Sequence, residues 1–414
     1  MKVCFLLHQG SMYSGGQGVY LHHITRELHE LGHEVHVIAG PPYPEVVEGV
    51  VVHKVPSYSI YRLMETGRFF FFGRDPASFF QPINFYELAT SRMGMFSVMA
   101  AFSFRAYRKL CEISGEHRFD VVHDVQGLGY GVLLIKASGM PVVANIHHPL
   151  QVDRLNAVMQ ANTLGEKIKW VKFHPFFMQE FVARRLDRII TGSGNSAESV
   201  ASAFSLRPEQ IEVIYDGVDT EAFRPQEAPR QPSSLLYVGN SDDRNKGSRY
   251  LLEALALLKH RTDLRLTVVD RLHAYVVPLL ARELGIEDRV TLTGRLIREE
   301  LVRRYNQTQL FVSPSLYEGF GLPAAEAMAC GTPVLATTAG AYPEIIEDGV
   351  SGVLVPPGDA PALAAAIERI LADSELQLRL GQAGRRRIVD HFSWRQTALR
   401  TVDLYEEVRA KARR

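Results

Sequence analysis

LFVSPSLYEGFGLPAAEAMACGTPVLATT runs from Leu310 to Thr338. An apolar run ends at Pro314, and the loop behind it carries Glu318, Gly319 and Gly321. A helix opens at Pro323, where the missing proline N–H would be unpaired in any case. A second apolar run, Pro333–Thr338, completes a strand, loop, helix and strand, the unit of a parallel α/β sheet. The two glycines leave backbone amides bare, and the helix N-terminus adds a partial positive charge. Together they suit a diphosphate. Glu326 falls near the end of the first helical turn, where a carboxylate can accept hydrogen bonds from both hydroxyls of a ribose. Glu318 faces whatever is attached beyond the phosphates.

The same rhythm extends in both directions. Strands are expected at Val3–His8, Val35–Ala39, Val51–Val55, Asp120–Val125, Pro141–Ile146, Arg188–Gly192 and Ile211–Tyr215. A second set follows at Ser234–Gly239, Leu264–Asp270, Val290–Gly294, Leu310–Pro314, Pro333–Thr338 and Gly352–Val355. Most are continuously apolar, as parallel strands covered on both faces must be. Amphipathic stretches such as Val19–Leu31, Tyr250–Lys259 and Ala360–Ala372 separate them. The expectation is two doubly wound α/β domains, 1–228 and 229–393, joined through the proline-rich FRPQEAPRQPSS (Phe223–Ser234). A final Arg-rich helix, 394–414, has no strand after it and is expected to return to the first domain.

Composition narrows the function. The 414 residues carry 46 Lys+Arg against 46 Asp+Glu, so no basic excess marks a nucleic-acid binder. Cys4, Cys111 and Cys330 are far apart and suggest neither a disulfide framework nor a zinc site. Met1–Leu7 is interrupted by His8 and Gln9 before a signal-peptide core could form. The longest apolar stretch, Met93–Phe104, falls short of the ~20 residues a membrane-spanning helix needs. A cytoplasmic protein is expected, with contact at the cytoplasmic face of a membrane left open by two features. One is RFFFFGRDPASFF (Arg68–Phe80), within an irregular insertion at about 58–106. Phe69–Phe72 there either meet an apolar surface or sit in a small helical core, and burial is the commoner fate of such rings. The other is the basic stretch Lys167–Arg188, readable as a lipid-facing helix or as an ordinary packed one.

Gly319–Ala324 also satisfies G-x-G-x-x-A, but a dinucleotide site needs an acidic residue closing the next strand. That strand ends in Thr337 and Thr338, which favours a nucleotide-diphosphate ligand over NAD. The Glu318–Glu326 spacing then resembles the E-x7-E motif of retaining glycosyltransferases of family 4, which have the GT-B fold. PSLYEGFGLPAAEAMACGTPVLAT…G…E (Pro314–Glu344), VIYDGVDTEAFRP (Val213–Pro225) and LLYVGNSDDRNKGSRYLLEAL (Leu235–Leu255) are similar to that family as well.

The resemblance implies two Rossmann-like domains facing a central cleft, with a nucleotide-sugar donor held mainly by the second. Glu326 would bind the ribose and Glu318 the donor sugar. Gly319, Phe320, Gly321 and Leu322 would line the diphosphate and sugar through their backbone. Lys246, ahead of a helix in NKG, would be the phosphate-binding lysine. The family usually has Gly-Arg where this chain has Gly239-Asn240. Asn240 donates a hydrogen bond but brings no charge, and Arg244 is the compensating cation on the same loop.

In the first domain YSGGQGVY (Tyr13–Tyr20) follows strand one. By the same resemblance its Gly15 and Gly16 would face the diphosphate. No Walker A sequence occurs, which removes the main support for an ATPase or GTPase. His147, in ANIHHP, matches the donor-sugar histidine better than His148 does. No third ligand at metal spacing accompanies the pair, so no metal is assigned. His123 and Asp124, in DVVHDVQG, read equally as acceptor contacts or as structural groups.

The expected chemistry is retaining transfer of a hexosyl group to a hydroxyl acceptor: a glycan, a lipid-linked sugar or a small molecule. Catalysis rests on Glu318, His147 and Lys246. The donor is a substrate, a UDP- or GDP-sugar, and no cofactor is assigned. A GT-B sugar-nucleotide epimerase and a catalytically weakened nucleotide-sugar-binding protein remain the alternatives.

Overall fold

A computed structural model describes residues 1–10, 17–58, 81–93, 95, 97–147, 163, 165, 167–168 and 176–412. They form two units. One comprises 1–192, 196–214 and 397–414, the other 193–195 and 215–396.

The first unit is built on β1 (Lys2–Leu7), β2 (Glu34–Ala39), β3 (Val51–Lys54), β4 (Val121–Val125), β5 (Val142–Asn145), β6 (Arg188–Thr191) and β7 (Ile211–Val213). These strands run parallel in the order β3-β2-β1-β4-β5-β6-β7. Its helices are α1 (Gln17–Glu30), α2 (Pro82–Arg92), α3 (Val98–Ile113), α4 (Gly131–Ala137), α5 (Phe176–Ala183) and most of α6 (Gly194–Phe204). The second unit carries β8 (Ser234–Val238), β9 (Arg265–Val269), β10 (Val290–Leu292), β11 (Leu310–Ser313), β12 (Val334–Thr337) and β13 (Val353–Val355). They are again all parallel, in the order β10-β9-β8-β11-β12-β13.

Every expected strand is present, and the second sheet shows why their sequences are continuously apolar. Leu235, Tyr237, Leu266, Val268, Leu310 and Val312 point into one core. Their neighbours Leu236, Val269, Phe311 and Ala336 point into another on the opposite face. Alternation is invisible because both faces are covered, each buried side chain contributing ~1.5–3 kcal/mol. The first core is closed by α7 (Ser248–Leu257) and α12 (Ala360–Ala372), the second by α10 (Leu322–Ala329). The remaining helices of this unit are α8 (Val276–Glu283), α9 (Arg298–Gln307), α11 (Tyr342–Ile345) and α13 (Ser374–His391).

Two expectations change. The chain divides at 214/215 rather than 228/229. Residues 215–228 pack into the second unit: Phe223 is in its core, and Asn306 Oδ1 accepts from the Gln226 amide at 2.8 Å. Prolines there stop regular structure without making a free linker. The supposed insertion also ends sooner. α3 is the crossover from β3 to β4, and its Met99, Phe102, Ala106 and Leu110 belong to the first unit's main core. Phe69–Phe72 lie outside the described residues. Within Lys167–Arg188, the described part forms α5 and the start of β6. α5 buries Met178 and Val182 and exposes Phe177 and Phe181, with Arg185 over the Phe181 ring at 3.7 Å.

The last helix, α14 (Trp394–Ala412), joins the first unit from Thr397 onward. Tyr405 meets His123 Nδ1 at 2.5 Å, Arg409 pairs with Asp120 at 3.1 Å, and Glu407 accepts from Arg188 at 2.6 Å. Among the described residues no helix is long and apolar enough to cross a membrane.

A buried ion pair ties α2 to α3. Arg105 contacts Glu87 at 2.6 Å and donates to Asn84 Oδ1 at 2.7 and 3.0 Å. Glu87 also accepts from Ser57 Oγ and the Tyr58 amide. Removing one member of such a pair strands the other charge. We predict that Glu87→Ala lowers stability by roughly 3–5 kcal/mol in urea unfolding. A loss under about 1 kcal/mol, the worth of an exposed pair, would refute this.

Candidate active site

In the second sheet the strand order reverses between β8 and β11, and ligands of open α/β sheets bind outside the carboxyl ends at such a point. The loops leaving those two strands, 239–247 and 314–321, carry most of the residues singled out from the sequence.

Neither loop stands alone. Asp270, just beyond β9, accepts from the amide and the hydroxyl of Ser241, both at 2.6 Å. Asp243 caps the short 3-10 turn Arg244–Lys246 by accepting from the Asn245 amide at 2.9 Å. The Asn245 carbonyl accepts in turn from Leu316 N at 2.7 Å and Tyr317 N at 3.3 Å, joining the loops backbone to backbone. The approach is tight enough to require glycine. At Gly247, φ is +64° and a Cβ would lie 1.9 Å from the Pro314 oxygen. Gly340, at φ +59°, would meet the Glu318 oxygen at the same 1.9 Å. That oxygen accepts from the Ala341 amide at 3.1 Å.

With the backbones fixed, Lys246 Nζ donates to both oxygens of Glu318, at 3.0 and 2.8 Å. Ser315 Oγ adds a bond at 3.3 Å. Glu318 is held mostly under the surface while Lys246 keeps about a third of its side chain exposed (12% and 30%). Gly319 is half-buried. Phe320 is not a surface contact: its ring is in the core against Phe392, so only its backbone is available to a ligand. Gly321, at φ +97°, precedes α10, and a Cβ there would strike Tyr342 at 2.4 Å. Leu322 opens the helix, packed against the same core as Phe320.

Glu326 lies on α10 in a different environment. The Tyr305 hydroxyl donates to its Oε2 at 2.9 Å, and Tyr305 is itself walled by Phe223 and Phe311. Burial pushes the Glu326 carboxyl up to about 7, against the pull of the Tyr305 hydrogen bond and the Arg298 charge. The residue as a whole is half-buried.

Arg244 is exposed on the 3-10 turn and Asn240 is exposed beside it. The cation nearest the Asn240 departure comes from elsewhere. Arg271, one residue after Asp270 at the end of β9, donates Nη2 to Asn240 Oδ1 at 2.7 Å and reaches Asp242 at 3.4 Å. Sequence reading missed it: a cation after an apolar run is visible there, but its place beside Asn240 depends on β9 pairing with β8.

In the first unit His147 follows β5, its amide donating to Gln126 Oε1 at 3.2 Å and its ring standing edge-on to Tyr20 at 4.9 Å. Gly15 and Gly16 lie outside the described residues. His123 and Asp124 take the structural option. His123 is buried against Phe5 and Tyr405, and burial drives its pKa down to about 3 with the neighbouring His147 adding to the shift. Asp124 accepts the Leu128 amide at 2.5 Å and holds the turn in which Gln126 and Leu128 have positive φ. Burial raises it to about 7, while the Leu128 and Gly127 amides pull the other way.

Solved structures share this architecture. Sucrose-phosphate synthase from Thermosynechococcus elongatus superimposes with a TM-score of 0.73 at 24% identity, covering 99% of this chain and 100% of its own. HepE from Anabaena, in complex with UDP, gives 0.70 at 19%, covering 98% and 100%. The fold is GT-B, with two Rossmann-like units.

The family profiles "Glycosyltransferase Family 4" and "Glycosyl transferases group 1" match residues 14–222 and 218–387. MMP alpha-(1->4)-mannosyltransferase of Mycolicibacterium hassiacum is 39% identical over 99% of both chains. D-inositol 3-phosphate glycosyltransferase of a Nocardioides species is 31% identical over 71% of this chain and 69% of its own. The chain belongs to glycosyltransferase family 4 and is a glycosyltransferase. These relatives favour transfer over the epimerase and the non-catalytic binding protein.

Glu326 sets a pH dependence. Its folded pKa lies above the ordinary 4.5, so the folded state holds the proton more tightly and stability falls as pH rises from 4.5 through about 7. We predict that Glu326→Gln, which cannot ionise, stabilises the ligand-free protein at pH 8 relative to wild type by about 1–3 kcal/mol. The difference should shrink towards pH 5. A gap that does not change between those pH values would contradict the assignment.

Proposed function

We propose that the chain transfers a hexosyl group, with retention, from a nucleoside-diphosphate sugar to a hydroxyl of a sugar acceptor. The observation that carries this is the pair of hydrogen bonds from Lys246 to Glu318 in a glycine-opened loop, eight positions ahead of the half-buried Glu326. A diphosphate beside Lys246 draws the ammonium from Glu318, and the freed carboxylate takes the hydroxyls of the donor sugar. Glu326 accepts from the ribose.

As the bond to the anomeric carbon loosens, the sugar gains oxocarbenium character and negative charge moves onto the leaving diphosphate. Lys246, the amides of Gly319–Leu322 and the α10 N-terminus oppose that charge as preorganised positive potential. Arg271, reaching the loop through Asn240, supplies the charge that family members carry at that position. The acceptor attacks from the face the diphosphate leaves, and its proton passes to a phosphate oxygen. Glu318 orients the sugar and forms no bond to it. His147 is assigned to the donor sugar, and Gly15 and Gly16 to the diphosphate, on the family resemblance alone.

A relative 39% identical from end to end is named a mannosyltransferase, so GDP-mannose is the first donor to test, beside UDP- and ADP-glucose. One nucleotide sugar should raise the melting temperature, and Glu326→Ala should abolish the shift. Donor affinity should strengthen as pH rises from 6 to 8, because the ionised Glu326 is the better acceptor. The Glu326→Gln variant should lack that dependence. Failure of all three donors to shift the wild-type protein would overturn the reading.

Two further variants separate the roles. Arg271→Ala should lower kcat by about tenfold or more with a smaller change in donor KM, and Asn240→Arg should restore part of the loss. A loss confined to KM would assign Arg271 to donor binding alone. A glycosyl adduct trapped on Glu318 would replace same-face attack with a covalent mechanism.

A further inference from the structure

At the amino-terminal edge of the first sheet, opposite the strand ends that precede His147, lies a cluster that sugar transfer does not use. Glu34 and His36 are two residues apart on β2 and project to the same face, and His117 reaches them from the connection between α3 and β4. Glu34 Oε1 is 3.0 Å from His36 Nε2 and 3.7 Å from His117 Nδ1, and the three ligand atoms lie within 4.8 Å of one another. Bonds of about 2.0–2.2 Å to a tetrahedral ion place neighbouring ligand atoms roughly 3.3 Å apart. Modest side-chain movements therefore close the triad on one ion.

Glu34 is exposed and His117 half-buried, so the triad opens to solvent on one side and is fixed from beneath by His36. His36 is buried and locked, its ring 4.5 Å from that of His117 and edge-on to Phe119 at 5.1 Å. Its other nitrogen, Nδ1, is 2.9 Å from Nε2 of His53 on β3. Without an ion, Nε2–H donates to Glu34 Oε1 at 3.0 Å; an ion that displaces that proton would take the Nε2 lone pair, with the ring then held by Nδ1–H donating to His53. Ligating histidines are oriented by such partners. A cation already sits on the same atoms: Lys2 Nζ is 2.8 Å from Glu34 Oε1 and 3.3 Å from His117 Nδ1. Its long side chain can swing clear.

We propose that Glu34, His36 and His117 form a site for a divalent transition ion of the zinc type, with His53 as the orienting partner and water completing the tetrahedron. Bound there, the ion staples β2 to the segment entering β4. Its place at the opposite edge of the sheet makes it structural or regulatory.

The test uses the untagged full chain stripped with a chelator. Zn²⁺ is titrated by calorimetry against a competing indicator, and Co²⁺ is followed by its visible spectrum. A single tight equivalent should appear with a tetrahedral Co²⁺ spectrum and a rise in melting temperature. His117→Gln, at a half-buried position that tolerates change, should remove the tight equivalent. His53→Ala should weaken it about tenfold, and Lys2→Met should leave it equal or tighter. Wild-type protein that binds Zn²⁺ no more tightly than His117→Gln, or a Co²⁺ spectrum that is octahedral in both, would overturn the proposal and leave only adventitious binding by the other histidines.

Discussion

The carbonyl of Asn245 accepts from two amides of the neighbouring loop, and the positions of the site's charged groups follow from that junction. Two loops that leave different strands are drawn together until no Cβ fits at Gly247 or Gly340. Side chains anchored on backbone held this firmly have little freedom left. Lys246 and Glu318 therefore meet with two hydrogen bonds in a half-buried position, where a loosely held pair would gain far less. Asp243 and Asp270 serve the same end, spending their oxygens on backbone amides rather than on solvent.

The two glutamates show how one short segment runs two kinds of chemistry. Glu318 has a lysine on both oxygens. Glu326 has a tyrosine hydroxyl and an apolar wall, and it is pushed up to about 7. One is held as an ion pair; the other carries a charge that burial makes costly. Eight positions on a loop and helix suffice because the loop faces the neighbouring strand's turn while the helix faces the core.

The first unit repeats the layout with different contents. The strand end after β4, which could have been an acceptor site, is used for construction. Asp124 holds a turn with two positive-φ residues, and His123 is sealed by Tyr405 of α14. The pair looks functional in sequence and is structural in the fold, His123 closed over by a segment nearly three hundred residues away and Asp124 by its own turn.

The sequence alone determined the thirteen strands, the doubly wound class and the E-x7-E segment. Continuous apolar runs, glycines at close approaches and a proline at a helix start are local physics, readable without coordinates. It also carried the identities of Lys246, Glu318 and Glu326 through the family resemblance. Tertiary structure alone decided which residues stand beside them. Arg271 reaches Asn240 because β9 lies next to β8, a neighbour relation no spacing encodes. Tyr305 finds Glu326 from a separate helix, and the division at 214/215 follows from where Phe223 is buried. The Phe320 ring turns into the core while its backbone stays in the loop, because a loop side chain's direction is set by the surface behind it. Contacts between segments distant in the chain depend on strand order and packing, and those exist only once the sheet has closed.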